Sequence, residues 1–77
     1  NLHGVDAEII EFIVKPNSKV TKKPINRLHF PRTANISGVI RDDVGFIPFG
    51  SFQLKAGDKA VVFSLIESIH LIEKYFQ

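Results

Sequence analysis

Apolar residues along "AEIIEFIV" (7–14) alternate, with Ile10, Phe12 and Val14 on one side and Ile9, Glu11 and Ile13 on the other. Both sides are largely apolar. The pattern predicts a strand that is either central in a sheet or covered on its second face by a partner, ended by Pro16 and Asn17. Residues Val20 to Leu28 suit a short helix, with Thr21 as its cap, Pro24 in its first turn, and Ile25 and Leu28 three apart on one face. The "HFPRTAN" that follows reads as a loop. In "NISGVIRDDVGFIPFG", two β-rich runs flank the charged pair Asp42 and Asp43, with Val44-Gly45 closing the turn of a hairpin. Pro48 places the second run at an edge or at a gap in the ladder, because proline donates no hydrogen bond. Phe52 and Leu54 offer a further short alternating segment. The Ala56-Gly57-Asp58 step then turns the chain into the strand "KAVVFSL". In "IESIHLIEKYF", Leu65, Ile69, Ile72 and Phe76 follow helical spacing and form a stripe for the sheet. Leu71 and Tyr75 form a second stripe on nearly the opposite side, exposed in an isolated monomer.

The order strand, short helix, two or three strands, strand, helix predicts an α+β sandwich, a small mixed β-sheet with two helices against it. No internal repeat or low-complexity tract interrupts it. At 77 residues and 44% hydrophobic content the chain holds one domain near the lower size limit for a single core. Thin cores of this size are commonly supplemented. With no cysteine, disulfides and thiolate metal sites are excluded, a reducing compartment is expected, and pairing with another copy is the expected supplement. No apolar run approaches the roughly 18 residues that span a bilayer, so no direct membrane insertion is expected. The chain opens on Asn1 rather than methionine, and residues 1–6 are expected to be the remnant of a linker in a longer protein, with the domain over 7–77.

The net charge of +2 conceals an uneven distribution. Lys15, Lys19, Lys22, Lys23, Arg27, Arg32 and Arg41 occur with no acidic residue between Glu11 and Asp42, so an anion should seek the middle of the chain. For Lys22 and Lys23 a solvated face is the default reading. Arg27 and Arg32 flank a loop and are the better candidates for gripping an anion, since a guanidinium fork suits phosphate or carboxylate oxygens. His3, His29 and His70 lack the paired spacing of metal sites, and no serine sits in a nucleophile-elbow setting. No catalytic or metal-binding residue is assigned. Asp58, beside the turn glycine, is read as a short carboxylate that accepts from nearby backbone N–H groups.

These segments together resemble the C-terminal domain of the RCK (regulator of potassium conductance) family, also called TrkA-C, over about Ala7 to Phe76. The resemblance rests on "AEIIEFIVKPNSKVTKKPINRL", similar to the family's opening strand and short helix, and on "ISGVIRDDVGFIPFG", similar to its hairpin. Its most specific part is Pro48, Gly50, Leu54, Gly57 and Asp58, which match the pattern P-x-G-x-x-x-L-x-x-G-D before an apolar strand. Thr21 and Pro24 stand where the family often has glycine and an apolar residue.

The resemblance implies an RCK C-terminal (TrkA-C) type sandwich in which Gly57 and Asp58 form a structural turn. It implies a cytoplasmic regulatory, ligand-sensing and dimerisation domain of a Trk/Ktr-type potassium uptake system, not an enzyme. Its partners would be a second copy of itself and, through the parent protein, a membrane transporter subunit at the inner face of the cell membrane. No glycine-rich dinucleotide fingerprint occurs here, so no NAD or ATP site and no cofactor is assigned. A small anionic or nucleotide ligand is expected instead. Some members bind cyclic di-AMP between paired domains through an arginine and an asparagine, and Arg32 and Asn35 occupy that neighbourhood, with Arg27 nearby and Ile36 and Pro48 as an apolar wall. The same module built into another ion or solute transporter is the alternative. An alternative of another class, a nucleic-acid-binding module, needs aromatic stacking residues among the lysines, and the basic segment offers only Phe30 there, so no nucleic-acid partner is expected.

Overall fold

A computed structural model describes residues 4–77; His3 lies outside the described residues. Its strands β1 (Ala7–Ile13), β2 (Ala34–Arg41), β3 (Val44–Phe46) and β4 (Lys59–Leu65) form one sheet in the order β1-β4-β2-β3. The sheet expected to be mixed has every pairing antiparallel. β4 is central because its alternation is the strictest: Ala60, Val62 and Ser64 are fully buried on one side while Val61, Phe63 and Leu65 are half-buried on the other. β1 takes an edge, with Ile9 opposite Phe63 and Ile10 opposite Val62. Of the two settings expected for a strand apolar on both faces, the central one is therefore not realised.

β2 carries a bulge between Ile36 and Gly38, which face Val62 and Val61. The extra residue resets the alternation, so that Ile36 and Val39, three apart, both enter the core. The hairpin to β3 turns on Asp42 and Asp43, whose φ values of 52° and 65° are both positive. This is the pairing required by a two-residue type I′ turn, whose twist matches the flanking strands. Val44 and Gly45 belong to β3 rather than to the turn. Pro48 lies just beyond this edge strand, where its missing N–H removes no ladder bond.

The helix expected over Val20 to Leu28 is instead two 3₁₀ turns, Lys19–Thr21 and Ile25–Arg27. Pro24 separates them: its ring disfavours the α region at Lys23 and it has no N–H to continue a helical ladder. Thr21 accordingly caps nothing; its hydroxyl donates to the Ser18 carbonyl at 2.7 Å. Nor do Phe52 and Leu54 form a strand, because that segment's backbone bonds go to the second turn. The Ile25 N–H donates to the Phe52 carbonyl at 2.9 Å and the Asn26 N–H to the Gly50 carbonyl at 2.8 Å. A side chain at Gly50 would place its Cβ 3.1 Å from the Asn26 Cβ, a tight contact that would push Asn26 aside by a few tenths of an ångström and that glycine avoids.

A 3₁₀ turn at Ile66–Ser68 leads into α1 (Ile69–Tyr75). Ile72 and Phe76 close the core with Val14, Val20, Val39, Leu54 and Val62, and the Phe76 ring stacks on Phe12 at 4.4 Å between centroids. Leu71 stays half out of the protein, as its position on the helix predicts, but Tyr75 is buried. The Phe30 ring meets Tyr75 edge-on at 4.7 Å, and the Tyr75 hydroxyl donates to the His29 carbonyl at 3.3 Å. A loop residue thus covers what an isolated helix would expose.

The hairpin offers a direct test. Asp43 sits at positive φ, where glycine escapes a left-handed Cβ penalty of about 1–2 kcal/mol at the cost of about 0.4–1 kcal/mol in unfolded-chain entropy, so Asp43→Gly should raise the unfolding free energy by up to about 1 kcal/mol in urea melts. A destabilised variant would contradict the type I′ assignment. In contrast, Ile72→Ala should cost about 2–5 kcal/mol, the range for emptying a fully buried aliphatic site.

Candidate functional site

The Gly57-Asp58 step is built from backbone upward. The Asp58 N–H donates to the Lys55 carbonyl at 3.1 Å, closing a turn in which Gly57 has φ 91°, a value that favours glycine. The Gly57 N–H donates to the Val14 carbonyl and the Val14 N–H to the Asp58 carbonyl, both at 2.8 Å, so the turn is anchored to the end of β1. Within it the Asp58 Oδ2 accepts from the Lys55 N–H at 2.8 Å.

Asp58 also has a partner that sequence reasoning missed. Arg41, at the end of β2, donates from Nε to Oδ1 at 2.8 Å and from Nη2 to Oδ2 at 2.7 Å. This is a two-pronged guanidinium–carboxylate pair. Asp58 is 3% exposed, and Arg41 is held further by the Phe52 ring, 4.7 Å from Cζ, and by the Gln53 carbonyl. The Arg41 hydrogen bonds are the largest influence on the Asp58 carboxyl and hold it below the usual carboxylate range against the opposing effect of burial. The same bonds push the Arg41 guanidinium up. Both groups are committed to each other, and the arrangement is a clasp joining β2, the strap and β4. The only sequence signal for it was charge complementarity between a strand-end arginine and a turn aspartate.

The residues expected to form the anion site separate into four places. Arg32 and Asn35 come together in a cavity of about 260 Å³, closed by Thr33, Ala34, Phe63 and Leu65. Arg32 stands in the loop before β2, whereas Asn35 lies within it, opposite Phe63, with the Ser37 hydroxyl donating to its Oδ1 at 2.7 Å. Arg27 lines a different cavity, with Lys19, Lys22 and Lys23. Ile36 is buried in the core and Pro48 lies past β3; neither lines the Arg32 cavity. Sequence reasoning missed Phe63 and Leu65, which alternation placed on β4 without revealing what they would adjoin.

That cavity opens on the face of the sheet away from α1. The register puts Ile9, Phe63 and Asn35 side by side, with Ala7 and Leu65 next along the strands. Ile9 is 74% and Ile13 62% exposed, an apolar face rimmed by the polar groups of the cavity. Elsewhere, His70 is exposed on α1 with Nδ1 3.3 Å from Glu73, and His29 lies in the loop ahead of Phe30. Among the described residues no group of three or more His, Asp or Glu stands close enough to hold a metal ion, and no helix is long and apolar enough to cross a membrane.

Comparison with known proteins agrees in sequence and in shape. Residues 9–77 match the TrkA-C domain family. The chain is similar to the Trk system potassium uptake protein TrkA homolog 2 of Methanosarcina mazei, 36% identical over 76 residues, covering 99% of this chain and 17% of that protein. TrkA homolog 1 of the same organism is 38% identical over the same length and with the same coverage. The Archaeoglobus fulgidus TrkA homolog is 32% identical over 73 residues, or 95% of this chain and 17% of its own. The chain therefore spans about a sixth of these relatives, 17% of their length. In three dimensions it superposes on a solved "RCK domain with cda" with a TM-score of 0.75 at 19% identity, over 90% of this chain and 97% of the other.

The clasp predicts a pH-dependent stability. Because the folded-state carboxyl of Asp58 is held below its unfolded value of ~3.9, its contribution is complete above that pH and is lost as pH falls through the lower folded-state value. Asp58→Asn should cost about 2–3 kcal/mol at pH 7, the scale of losing charge-assisted bonds at a buried group. Urea melts from neutral to acid pH should show the gap between variant and parent closing below pH ~4. A gap that stays constant with pH would remove the ion pair as its cause.

Proposed function

This chain belongs to the TrkA-C domain family, and from that premise we propose that it is a cytoplasmic regulatory domain of a potassium uptake system, pairing with a second copy and sensing a small anionic ligand at their seam. The observation that carries the reading is the outer sheet face, where Ile9 and Ile13 are more than half exposed beside Phe63 and the Arg32–Asn35 cavity. A second copy laid on this face covers apolar surface that a monomer leaves in water. The relatives' names supply the potassium system, and the rest of the parent protein supplies the reach to a membrane transporter.

The chemistry of the cavity suits a small anion with an apolar part. The Arg32 guanidinium offers a charge-assisted fork, Asn35 a neutral donor and acceptor, and Phe63 and Leu65 an apolar wall. That the RCK neighbour was solved with cda supports a ligand in this class of domain. A ligand seated against two copies favours the paired state over the separated one, and that difference in affinity is the means of regulation.

Sedimentation velocity at micromolar concentration should show a dimer that Ile9→Glu combined with Phe63→Glu converts to monomer with an unchanged far-UV spectrum. A monomeric parent throughout that range would refute the pairing. In calorimetry with cyclic dinucleotides, Arg32→Ala should weaken binding by about 10- to 100-fold, as expected for a lost hydrogen bond to a charged group. Equal binding by this variant would remove Arg32 from the site.

A further inference from the structure

The acid-free stretch between Glu11 and Asp42 is sorted by the fold into separate places. Arg41 is spent on Asp58, and Arg32 belongs to the cavity on the outer sheet face. Lys19, Lys22, Lys23 and Arg27 instead line one concavity of about 290 Å³ together with His29 and Tyr75. The two 3₁₀ turns bring them there, with Pro24 bending the chain between the lysines and Arg27. The floor is fixed: Tyr75 is buried, its hydroxyl bonded to the His29 carbonyl, and Lys19 Nζ lies 4.6 Å from the centroid of its ring. The rim is open, since Lys22, Lys23 and Arg27 are exposed.

Among the described residues no carboxylate pairs with any of these four cations. Among the described residues the ion pairs are Arg41 with Asp58 and His70 with Glu73, and Lys22 Nζ reaches a neutral acceptor, the Asn17 Oδ1, at 3.5 Å. On a convex surface such cations would be screened one by one. Around a single concavity their fields add at its centre, focused by its low-dielectric walls. We propose that this cavity is a second anion site, for a phosphate-bearing group with at least two negative charges, in which Lys22, Lys23 and Arg27 contact the phosphoryl oxygens and Lys19 supports them from the Tyr75 ring. It shares no lining residue with the Arg32–Asn35 cavity and does not depend on pairing of the sheet faces. The phosphates belong either to a free polyphosphate or to a dianionic lipid headgroup.

The test titrates the chain with tripolyphosphate while following backbone amide shifts, and in parallel sediments it with phosphatidylcholine vesicles with or without phosphatidic acid. The shifts should centre on Lys22, Lys23, Arg27 and His29. The double variant Lys22→Ala, Lys23→Ala, altering exposed side chains alone, should weaken binding about tenfold, and raising salt from about 0.05 to about 0.3 M should weaken it in the parent. Binding of tripolyphosphate identifies a soluble polyphosphate site; co-sedimentation with phosphatidic acid vesicles alone identifies a headgroup site. Arg32→Ala should leave either result unchanged, which separates this site from the one at the seam. The proposal is overturned if neither probe binds, if the shifts centre on Arg32 and Asn35, or if the double lysine variant binds as tightly as the parent.

Discussion

One buried ion pair ties the irregular part of the domain to its sheet. Arg41 ends β2 and Asp58 precedes β4, and their two-pronged contact continues the link between these paired strands just past Ile40 and Lys59, where the ladder ends. The strap between them follows from it: Phe52 lies against the guanidinium and Gln53 offers it a carbonyl, while the Gln53 amide reaches back to the Thr21 carbonyl at 2.8 Å. From there the backbone bonds of Gly50 and Phe52 position the second 3₁₀ turn. A buried carboxylate costs a great deal unless it is matched, and here the group that matches it also holds the strap, which has no regular secondary structure of its own, against the sheet.

This explains why the family's most specific motif is structural. Gly50 permits close approach to Asn26, Leu54 fills the core, Gly57 makes the turn and Asp58 closes the clasp. Each acts on the inner side of the sheet or at its end. The residues with chemistry to offer a ligand, Arg32, Asn35, Lys22, Lys23 and Arg27, sit on turns and rims carried by that frame. The residues that stabilise the fold are therefore distinct from those of the two proposed anion sites, and the latter are free to vary without disturbing the motif.

Much of the frame was legible in the sequence. Alternation located β1, β2 and β4, paired aspartates located the hairpin, and helical spacing of Leu65, Ile69, Ile72 and Phe76 located α1, although Leu65 itself ends β4. What escaped reading was decided by groups distant in the chain. Pro24 converted one helix into two turns whose free backbone bonds the strap absorbs, so Phe52 and Leu54 never formed a strand. The bulge at Gly38 moved Val39 inward against simple alternation. Tyr75 was covered by Phe30 from a loop, and no period records that. At the candidate site, Arg32 and Asn35 were found together, but Ile36 was claimed by the core because a β-strand cannot turn adjacent residues to the same side.

The edge placement of β1 has a consequence for biosynthesis. Among the described residues its neighbour in the sheet is β4, with Ala7 opposite Leu65, so the first strand of this domain is joined to its fourth. As the polypeptide leaves the ribosome, almost the entire domain has to emerge before "AEIIEFIV" finds its mate. Until then a segment apolar on both sides waits unprotected, and closing so long a loop is slow compared with forming the local hairpin. The nascent chain is thus most vulnerable to wrong association in the interval before β4 appears, and Glu8 and Glu11, charges within that waiting segment, are its own built-in deterrent to self-adhesion.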